Sequence, residues 1–161
     1  MKKQIKYAGI GSRQTPTNVL GLMSQFAYKA ETAGWKLRSG SAKGADGAFS
    51  AGCICDFHKE IYLPYGEIPV KAYEIAMRFH PAWSRCSDFA RRAHARNILI
   101  LLGENLNDPV DMVICWTFAA QVVGGTGHST CVANAHDIPV HNLGLMTIPK
   151  MVSYLNHLLG F

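Results

Sequence analysis

Short apolar runs alternate with longer segments of mixed polarity along the whole chain. The runs have the length and composition of strands, whereas the apolar residues of the intervening segments recur every three or four positions, as on one face of a helix. The predicted strands are 6–10, 35–39, 60–64, 110–116 and 138–143. The predicted helices are 16–34, 43–53, 68–79, 87–102 and 149–159, with a further helix after the turn 124–130.

This alternation of strands and helices predicts the fold class. The run VDMVICW at 110–116 is almost continuously apolar, which is typical of a central parallel strand covered on both faces. Strands that alternate with helices favour a parallel sheet because each helix carries the chain back to the start of the next strand. We therefore predict a three-layer α/β fold with a doubly wound, mostly parallel sheet, whose ligands bind at the carboxyl ends of the strands.

Length and composition limit the class of protein. The 161 residues, 48% of them apolar, suffice for one self-supporting core, and we expect a single domain over 1–161. Disordered, collagen-like and disulfide-stapled classes are excluded. The longest apolar runs are far shorter than the roughly 20 residues that cross a bilayer, and the first residues lead into a strand rather than a signal core. We expect a cytoplasmic protein with no membrane partner.

Cysteines and charges narrow the chemistry further. The five cysteines are an odd number, which favours reduced thiols. Cys53 and Cys55 with His58 lack the ligand spacing of a structural metal site, so no metal is expected. Lys and Arg number 16 against 11 Asp and Glu, a formal net charge of +5, and this balance favours an anionic ligand such as a nucleotide or a nucleic acid.

Three polar, glycine-rich turns fall at predicted strand ends or helix starts. They are GIGSR at 9–13, SGSAKGAD at 39–46 and GGTGHST at 124–130. Glycine lets the backbone approach a ligand closely, and free N–H groups at the start of a helix bind phosphate. One such turn by itself is more often only a feature of chain geometry. Three on one sheet edge favour a phosphate-binding site, in which Arg13 can grip a second anionic group.

Two common nucleotide fingerprints do not occur in these turns. The dinucleotide motif G-x-G-x-x-G needs a third glycine where Gln14 stands and an acidic residue after the second strand, which instead ends in Arg38 and Ser39. The phosphate-loop motif G-K-[ST] is also missing from the sequence. Standard dehydrogenases and P-loop phosphotransferases are therefore disfavoured.

The motifs together resemble a known superfamily. The segments GSR at 11–13, SGSAKGAD at 39–46, ARN at 95–97, VDMVICW at 110–116 and GGTGHST at 124–130 occur in this order, followed by the strand IPV at 138–140. This set resembles the SLOG-type, Rossmann-like superfamily that unites the DNA-processing protein A family with the lysine-decarboxylase-like "lonely guy" phosphoribohydrolases. The resemblance implies a Rossmann-like domain that binds nucleotides, nucleotide-derived signals or single-stranded DNA.

The turns and the resemblance together imply a set of ligand-binding residues. Gly11, Ser12 and Arg13 would hold one anionic group, the second turn would face the ribose or an adjacent phosphate, and the third would be the main phosphate cradle. The full set is Gly11, Ser12, Arg13, Ser39, Gly40, Lys43, Asp46, Arg96, Asn97, Gly124, Gly125, Thr126, Gly127, His128, Ser129 and Thr130. The expected ligand is a phosphorylated nucleotide or an ADP-ribose-like small molecule, held for sensing or sequestration without a required cofactor.

Nucleotide N-glycosidase activity is the first alternative. The hydrolases of the superfamily carry a GGxGTxxE motif, and on this chain its threonine and glutamate positions fall on His128 and Cys131. The motif acid is thus replaced, and Asp46 and Arg96 are the remaining candidates for catalytic groups. We therefore rank binding above hydrolysis.

Single-stranded DNA binding is the second alternative, and it rests on basic and aromatic residues. The candidates for phosphate contacts and for stacking are Lys43, Arg85, Arg91, Arg92, Arg96, Phe79 and Trp83. The basic run at 91–96 fits the solvated face of a helix equally well.

The segment 117–123 is unusually apolar for a connection between elements. It fits a cover over the ligand or a contact between subunits. We therefore expect a symmetric homo-oligomer.

Overall fold

The computed structural model describes residues 2–161, which form five strands and six α-helices. The strands are β1 (Lys6–Gly9), β2 (Lys36–Ser39), β3 (Lys59–Ile61), β4 (Met112–Cys115) and β5 (Val140–Asn142). The helices are α1 (Thr17–Thr32), α2 (Ala45–Gly52), α3 (Val70–Arg78), α4 (Asp88–Leu102), α5 (Gly124–Ala135) and α6 (Ile148–Leu158). Strands and helices alternate along most of the chain, with α3 and α4 both lying between β3 and β4.

The strands build one sheet in the order β3-β2-β1-β4-β5, and every neighbouring pair is parallel. β1 is central, since Ala8 pairs with Arg38 on one side and Val113 on the other. The chain builds outward to β3, then crosses back to place β4 on the opposite side of β1. The strand order therefore reverses between β1 and β4, and a crevice is expected at the carboxyl edge there.

Helices cover both faces of the sheet. α1, α2 and α6 pack on one face, and α3, α4 and α5 pack on the other. β4 shows the reason for its apolar sequence, because Val113 and Cys115 face one helical layer while Ile114 and Trp116 face the other, and all four are buried. The predicted three-layer, doubly wound α/β fold is confirmed, with a sheet that is parallel throughout these pairs.

One segment differs from its predicted form. Residues 124–130 were expected as a turn before a helix, but α5 already begins at Gly124. Gly127 lets the preceding loop lie against this helical start, because a Cβ there would stand 2.6 Å from the backbone carbon of Val122. This local contact with the loop favours glycine at that position despite its poor helix propensity. Within residues 2–161, none of the helices combines the length and the apolar character that a bilayer crossing requires.

Candidate functional site

A cleft of about 440 Å³ opens at the carboxyl edge of the sheet, where the strand order reverses. Its volume lies in the range of about 300–1,000 Å³ that is usual for small-molecule sites. The cleft is lined by residues of the loop after β1, the start of α2, the middle of α4, the loop after β4 and the start of α5. They are Ile10, Gly11, Ser12, Arg13, Gln14, Ala42, Asp46, Ala93, Arg96, Asn97, Thr117, Phe118, Val123, Gly124, Gly125, Thr126 and Ser129.

The loop after β1 forms one wall of the cleft. The Ser12 N–H donates to Trp116 O at 3.0 Å, so the pairing of β1 with β4 continues past the strands. Gly11 allows this close approach, because a Cβ there would lie 2.7 Å from the Ala45 Cβ and 3.1 Å from Trp116 O. The Ser12 hydroxyl accepts from the Gln14 N–H at 3.0 Å, which closes a tight turn. This turn presents the exposed Arg13 at the cleft.

A buried pair of opposite charges, Asp46 and Arg96, lies deeper in the cleft. The two residues are 5% and 6% exposed, and Asp46 stands in the first turn of α2. Arg96 donates from Nη1 to Tyr62 O at 2.8 Å and from Nε to Asn97 Oδ1 at 2.9 Å. Gly40 makes room for the pair, since a Cβ there would lie 2.6 Å from the Asp46 Oδ2 atom and 2.9 Å from the Arg96 guanidinium carbon.

The carboxyl group of Asp46 is the most perturbed acid of the cleft. Burial raises its pKa from 3.8 to about 6, although Arg96 and the backbone N–H groups of Ala42 and Gly40 oppose the rise. Burial also disfavours the charged form of Arg96. Together with the nearby charge of Arg13 it lowers the pKa of the Arg96 guanidinium, although Asp46 opposes this shift. Two mutually repelling guanidinium groups beside one cleft favour an anion between them.

The start of α5 supplies backbone donors to the opposite wall. Val123 is the N-cap residue, and no side chain caps this end of the helix. The first N–H groups of a helix have no partners within it, and the helix dipole places partial positive charge there. Gly124, Gly125 and Thr126 line the cleft with this end. The arrangement is suited to a phosphate group.

The structure brings most of the implied site residues together at this cleft. Ten of them line it: Gly11, Ser12, Arg13, Asp46, Arg96, Asn97, Gly124, Gly125, Thr126 and Ser129. The Ser129 hydroxyl bonds back to Gly125 O at 3.0 Å, so it is already engaged within α5. The sequence analysis assigned all of 124–130 to the phosphate cradle. In the structure, the start of the helix and Ser129 are the parts of this segment that line the cleft.

The other implied residues lie outside the lining. The Ser39 hydroxyl is fully buried and donates to Gly9 O, and Gly40 supports the Asp46–Arg96 pair from behind. The Thr130 hydroxyl donates to Gly127 O within the helix, and His128 faces α3, where its Nε2 atom bonds Ala76 O. Six residues are in this group: Ser39, Gly40, Lys43, Gly127, His128 and Thr130.

The loop 117–123 forms the outer rim of the cleft. Thr117 is buried and anchors the loop through hydrogen bonds to Asn142 and Gln121. Ala119 and Ala120 both adopt left-handed backbone angles, φ 50° and 53°, which is uncommon for residues with a side chain. Phe118, 70% exposed, extends an apolar ring beside the polar walls. From the sequence, this loop was expected either to cover the ligand or to form a contact between subunits. The sequence analysis did not assign four other lining residues to the ligand: Ile10, Gln14, Ala42 and Ala93.

The basic residues proposed for nucleic-acid contacts have mostly internal partners. Arg91 donates to Trp83 O and its guanidinium lies 5.6 Å from the indole centroid. Arg92 donates to Pro64 O and Gly66 O. These arginines therefore hold the segments before α3 and α4 in place, and Arg96 is the candidate among the DNA-contact residues that lines the cleft.

Comparisons with known proteins bear on the fold. No protein-family model matches this chain, and no curated protein matches it. A solved structure of DNA processing protein A from Helicobacter pylori superimposes with a TM-score of 0.61 at 17% sequence identity, covering 97% of this chain and 80% of that one. That protein binds single-stranded DNA. The likeness shows that the two chains share a Rossmann-like fold.

Proposed function

We propose that this protein binds a phosphorylated nucleotide or a nucleotide-derived small molecule in the cleft, for sensing or sequestration. The observation that carries the proposal is the convergence of three different groups on one cleft: an uncapped helix start, the exposed Arg13 and the buried Asp46–Arg96 pair. The first two match the phosphate of a nucleotide, and the third matches its ribose. Backbone N–H groups and arginine bind phosphate, and a carboxylate accepts hydrogen bonds from ribose hydroxyls.

The proposed orientation follows from the positions of these groups. The phosphate lies at the start of α5, between Gly125 and the guanidinium of Arg13. The sugar faces Asp46, which is held from behind by Gly40 and Arg96. Phe118 at the rim offers an exposed aromatic face on which a base can stack. A cleft of about 440 Å³ has room for one mononucleotide.

Hydrolysis of the glycosidic bond is ranked below binding. At the position of the hydrolase glutamate the chain has Cys131, which is not part of the cleft lining. Asp46 is the acidic residue among those that line the cleft, and its carboxyl group is the remaining candidate for a catalytic acid. Release of free base from a bound nucleotide, lost in Asp46→Ala, would reverse this ranking.

Binding of single-stranded DNA is the second candidate function. The shared fold with DNA processing protein A from Helicobacter pylori favours it, as does the formal net charge of +5. A strand would place one of its phosphates at the same helix start. The two candidates differ in salt dependence, because a ligand that spans several phosphates releases several counterions on binding.

Isothermal titration calorimetry of the full chain tests these assignments. The ligands are adenosine monophosphate, ADP-ribose, NAD and a short single-stranded oligonucleotide, each at two salt concentrations. We expect saturable binding of at least one small nucleotide, lost in Arg13→Ala and retained in Arg78→Ala, which removes an exposed arginine from α3 outside the cleft. Binding of the oligonucleotide alone, with a steep salt dependence, would favour the second candidate. No binding of any of them would contradict both.

Association between chains is a further part of the proposal. Val122 and Val123 are 67% and 53% exposed on the rim loop, and a contact between copies of the chain would cover them. Size-exclusion chromatography with light scattering is expected to show a homo-oligomer. A strict monomer at micromolar concentration would contradict this.

A further inference from the structure

A second cluster of chemically active side chains lies outside the cleft, between α3, α4 and α5. His80 follows α3, Cys86 precedes α4 and His94 lies within α4. One ligand atom from each of these three residues lies within 4.8 Å of the other two. The Cys86 Sγ atom is 3.6 Å from His80 Nε2. For zinc bound tetrahedrally by one thiolate and one imidazole, the two ligand atoms stand roughly 3.5 Å apart.

His128 adds an independent observation that points to a ligand. Its Nε2 atom bonds Ala76 O at 2.9 Å, and because a carbonyl oxygen only accepts, Nε2 carries the proton. The Nδ1 atom then has a free lone pair, and it is buried with no hydrogen-bond partner. His128 is 7% exposed. A histidine whose other nitrogen donates to a backbone carbonyl is oriented as metal-ligating histidines are.

His94, on the neighbouring helix α4, also has a buried ring nitrogen without a hydrogen-bond partner. This nitrogen is Nδ1, and the His94 ring centroid lies 4.5 Å from that of His128 and 4.7 Å from that of His80. Two buried imidazole nitrogens without partners are costly in a folded protein unless something satisfies them.

We propose that His80, Cys86 and His94 form a binding site for a divalent transition-metal ion, with Zn²⁺ as the cation that best matches the ligand types. His128 Nδ1 is not among the ligand atoms that lie within 4.8 Å of one another, and it becomes the fourth ligand by a shift of its ring toward the other three. A set of imidazoles and one thiolate suits zinc and excludes the hard cations Mg²⁺ and Ca²⁺, which require oxygen ligands. This proposal departs from the expectation of no metal, which rested on the spacing of Cys53, Cys55 and His58.

Binding requires two local changes that balance the protons. The Cys86 thiol gives up its proton to solvent when the sulfur binds the cation. His80 now accepts the Ala82 N–H at Nδ1. Binding of the cation at Nε2 moves the His80 proton from Nε2 to Nδ1. The Ala82 N–H then loses its acceptor, and the new Nδ1–H donates to another group or to solvent.

The position of the site gives it a structural consequence. The cation would tie the turn at 80–86 to α4 and α5, the two helices that carry Arg96 and the phosphate-binding start of α5 into the cleft. His94 lies less than one helical turn before Asn97 on α4. The metal site is separate from the proposed nucleotide site, and it holds the same two helices in register.

Cobalt titration of the full chain after treatment with a chelator tests the site. Co²⁺ bound by a thiolate gives a sulfur-to-metal charge-transfer band and, in tetrahedral geometry, intense ligand-field absorption. We expect both to saturate at one ion per chain and to be displaced by Zn²⁺. Cys86→Ser should abolish the charge-transfer band and weaken Zn²⁺ binding by at least about 10- to 100-fold, the loss that follows even from removing a partner of a metal ligand. Cys131→Ser, a similarly half-buried cysteine on α5, is the matched control and should retain both.

A second variant keeps the test decisive if Cys86→Ser folds poorly. His94→Asn removes one imidazole, and it should retain the charge-transfer band in weakened form while losing at least about tenfold in Zn²⁺ affinity. Zinc should raise the Tm of the wild-type chain more than that of Cys86→Ser at the same zinc concentration, because tighter binding to the folded state stabilises it more. The proposal is overturned if no charge-transfer band forms, or if Cys131→Ser loses as much affinity as Cys86→Ser.

Discussion

The substitution Asp46→Asn tests the electrostatics of the cleft through the pH dependence of stability. Burial raises the pKa of Asp46 from 3.8 to about 6 in the folded chain. The folded state therefore binds more protons than the unfolded state between about pH 4 and pH 6, and the free energy of unfolding falls as the pH rises through that window. The interval covers about two pH units at about 1.4 kcal/mol each, which gives a loss of about 3 kcal/mol.

Asparagine has the same shape and does not titrate, so the variant lacks this loss. The offset between the two proteins depends on how well the amide replaces the carboxyl beside Arg96, but that offset does not change with pH in this window. Relative to the wild type, Asp46→Asn should therefore gain about 3 kcal/mol in free energy of unfolding between about pH 4 and pH 7 and nothing more above it.

Urea denaturation of both proteins at unit intervals from pH 4 to pH 8 measures the difference. Glu67→Gln, at an exposed position in the loop before α3, is the control for loss of a carboxylate without burial. A difference that stays constant with pH would refute the reasoning that burial dominates. A wild type that instead gains relative to the variant as the pH rises would mean that pairing with Arg96 outweighs burial.

Two further predictions concern how the elements around the cleft are held. Gly9→Ala places a Cβ 2.5 Å from the fully buried ring of Phe49, and it should lower the free energy of unfolding by about 1–3 kcal/mol. Gly21→Ala is the control, because a Cβ there has no atom within 4 Å, and it should leave the free energy of unfolding unchanged or raise it by up to about 1 kcal/mol. Equal effects of the two substitutions in urea denaturation would contradict this packing. Ser87→Ala removes the hydroxyl that accepts the Ala90 N–H at the start of α4. It should lower the free energy of unfolding by about 1 kcal/mol and lower the Tm with it, whereas Ser87→Asp should retain the cap. An alanine variant as stable as the wild type would show that the cap is dispensable.

Local patterns in the sequence were sufficient to predict the elements and the layer order of the fold. The apolar run at 110–116 predicted β4 as a central strand, and the structure buries both of its faces. The alternation of strands and helices predicted a parallel sheet, and the turn with Gly11 and Arg13 lies at its carboxyl edge as expected. These predictions succeed because strand and helix periods, glycine and proline positions, and chain reversal depend on residues close together in the sequence.

The same patterns did not predict the form of the third turn. Its glycines indicated a loop, yet residues 124–130 begin α5, and only part of the segment reaches the cleft. His128 was assigned to the ligand on its place in the motif. In the helix its side chain points toward α3 instead, because consecutive residues of a helix point about 100° apart and the next residue, Ser129, is the one that reaches the cleft.

Only the tertiary structure decided which distant residues meet. Asp46 and Arg96 lie on helices that cover opposite faces of the sheet, α2 and α4, and the close approach permitted by Gly40 at the sheet edge joins them. His80, Cys86, His94 and His128 come from three parts of the chain with no regular spacing, and the packing of α3, α4 and α5 brings them together. The spacing of apolar residues along the sequence indicates which face of a helix or strand is buried. The contacts between elements depend instead on how whole helices pack over the sheet, and residues far apart in the sequence determine that packing.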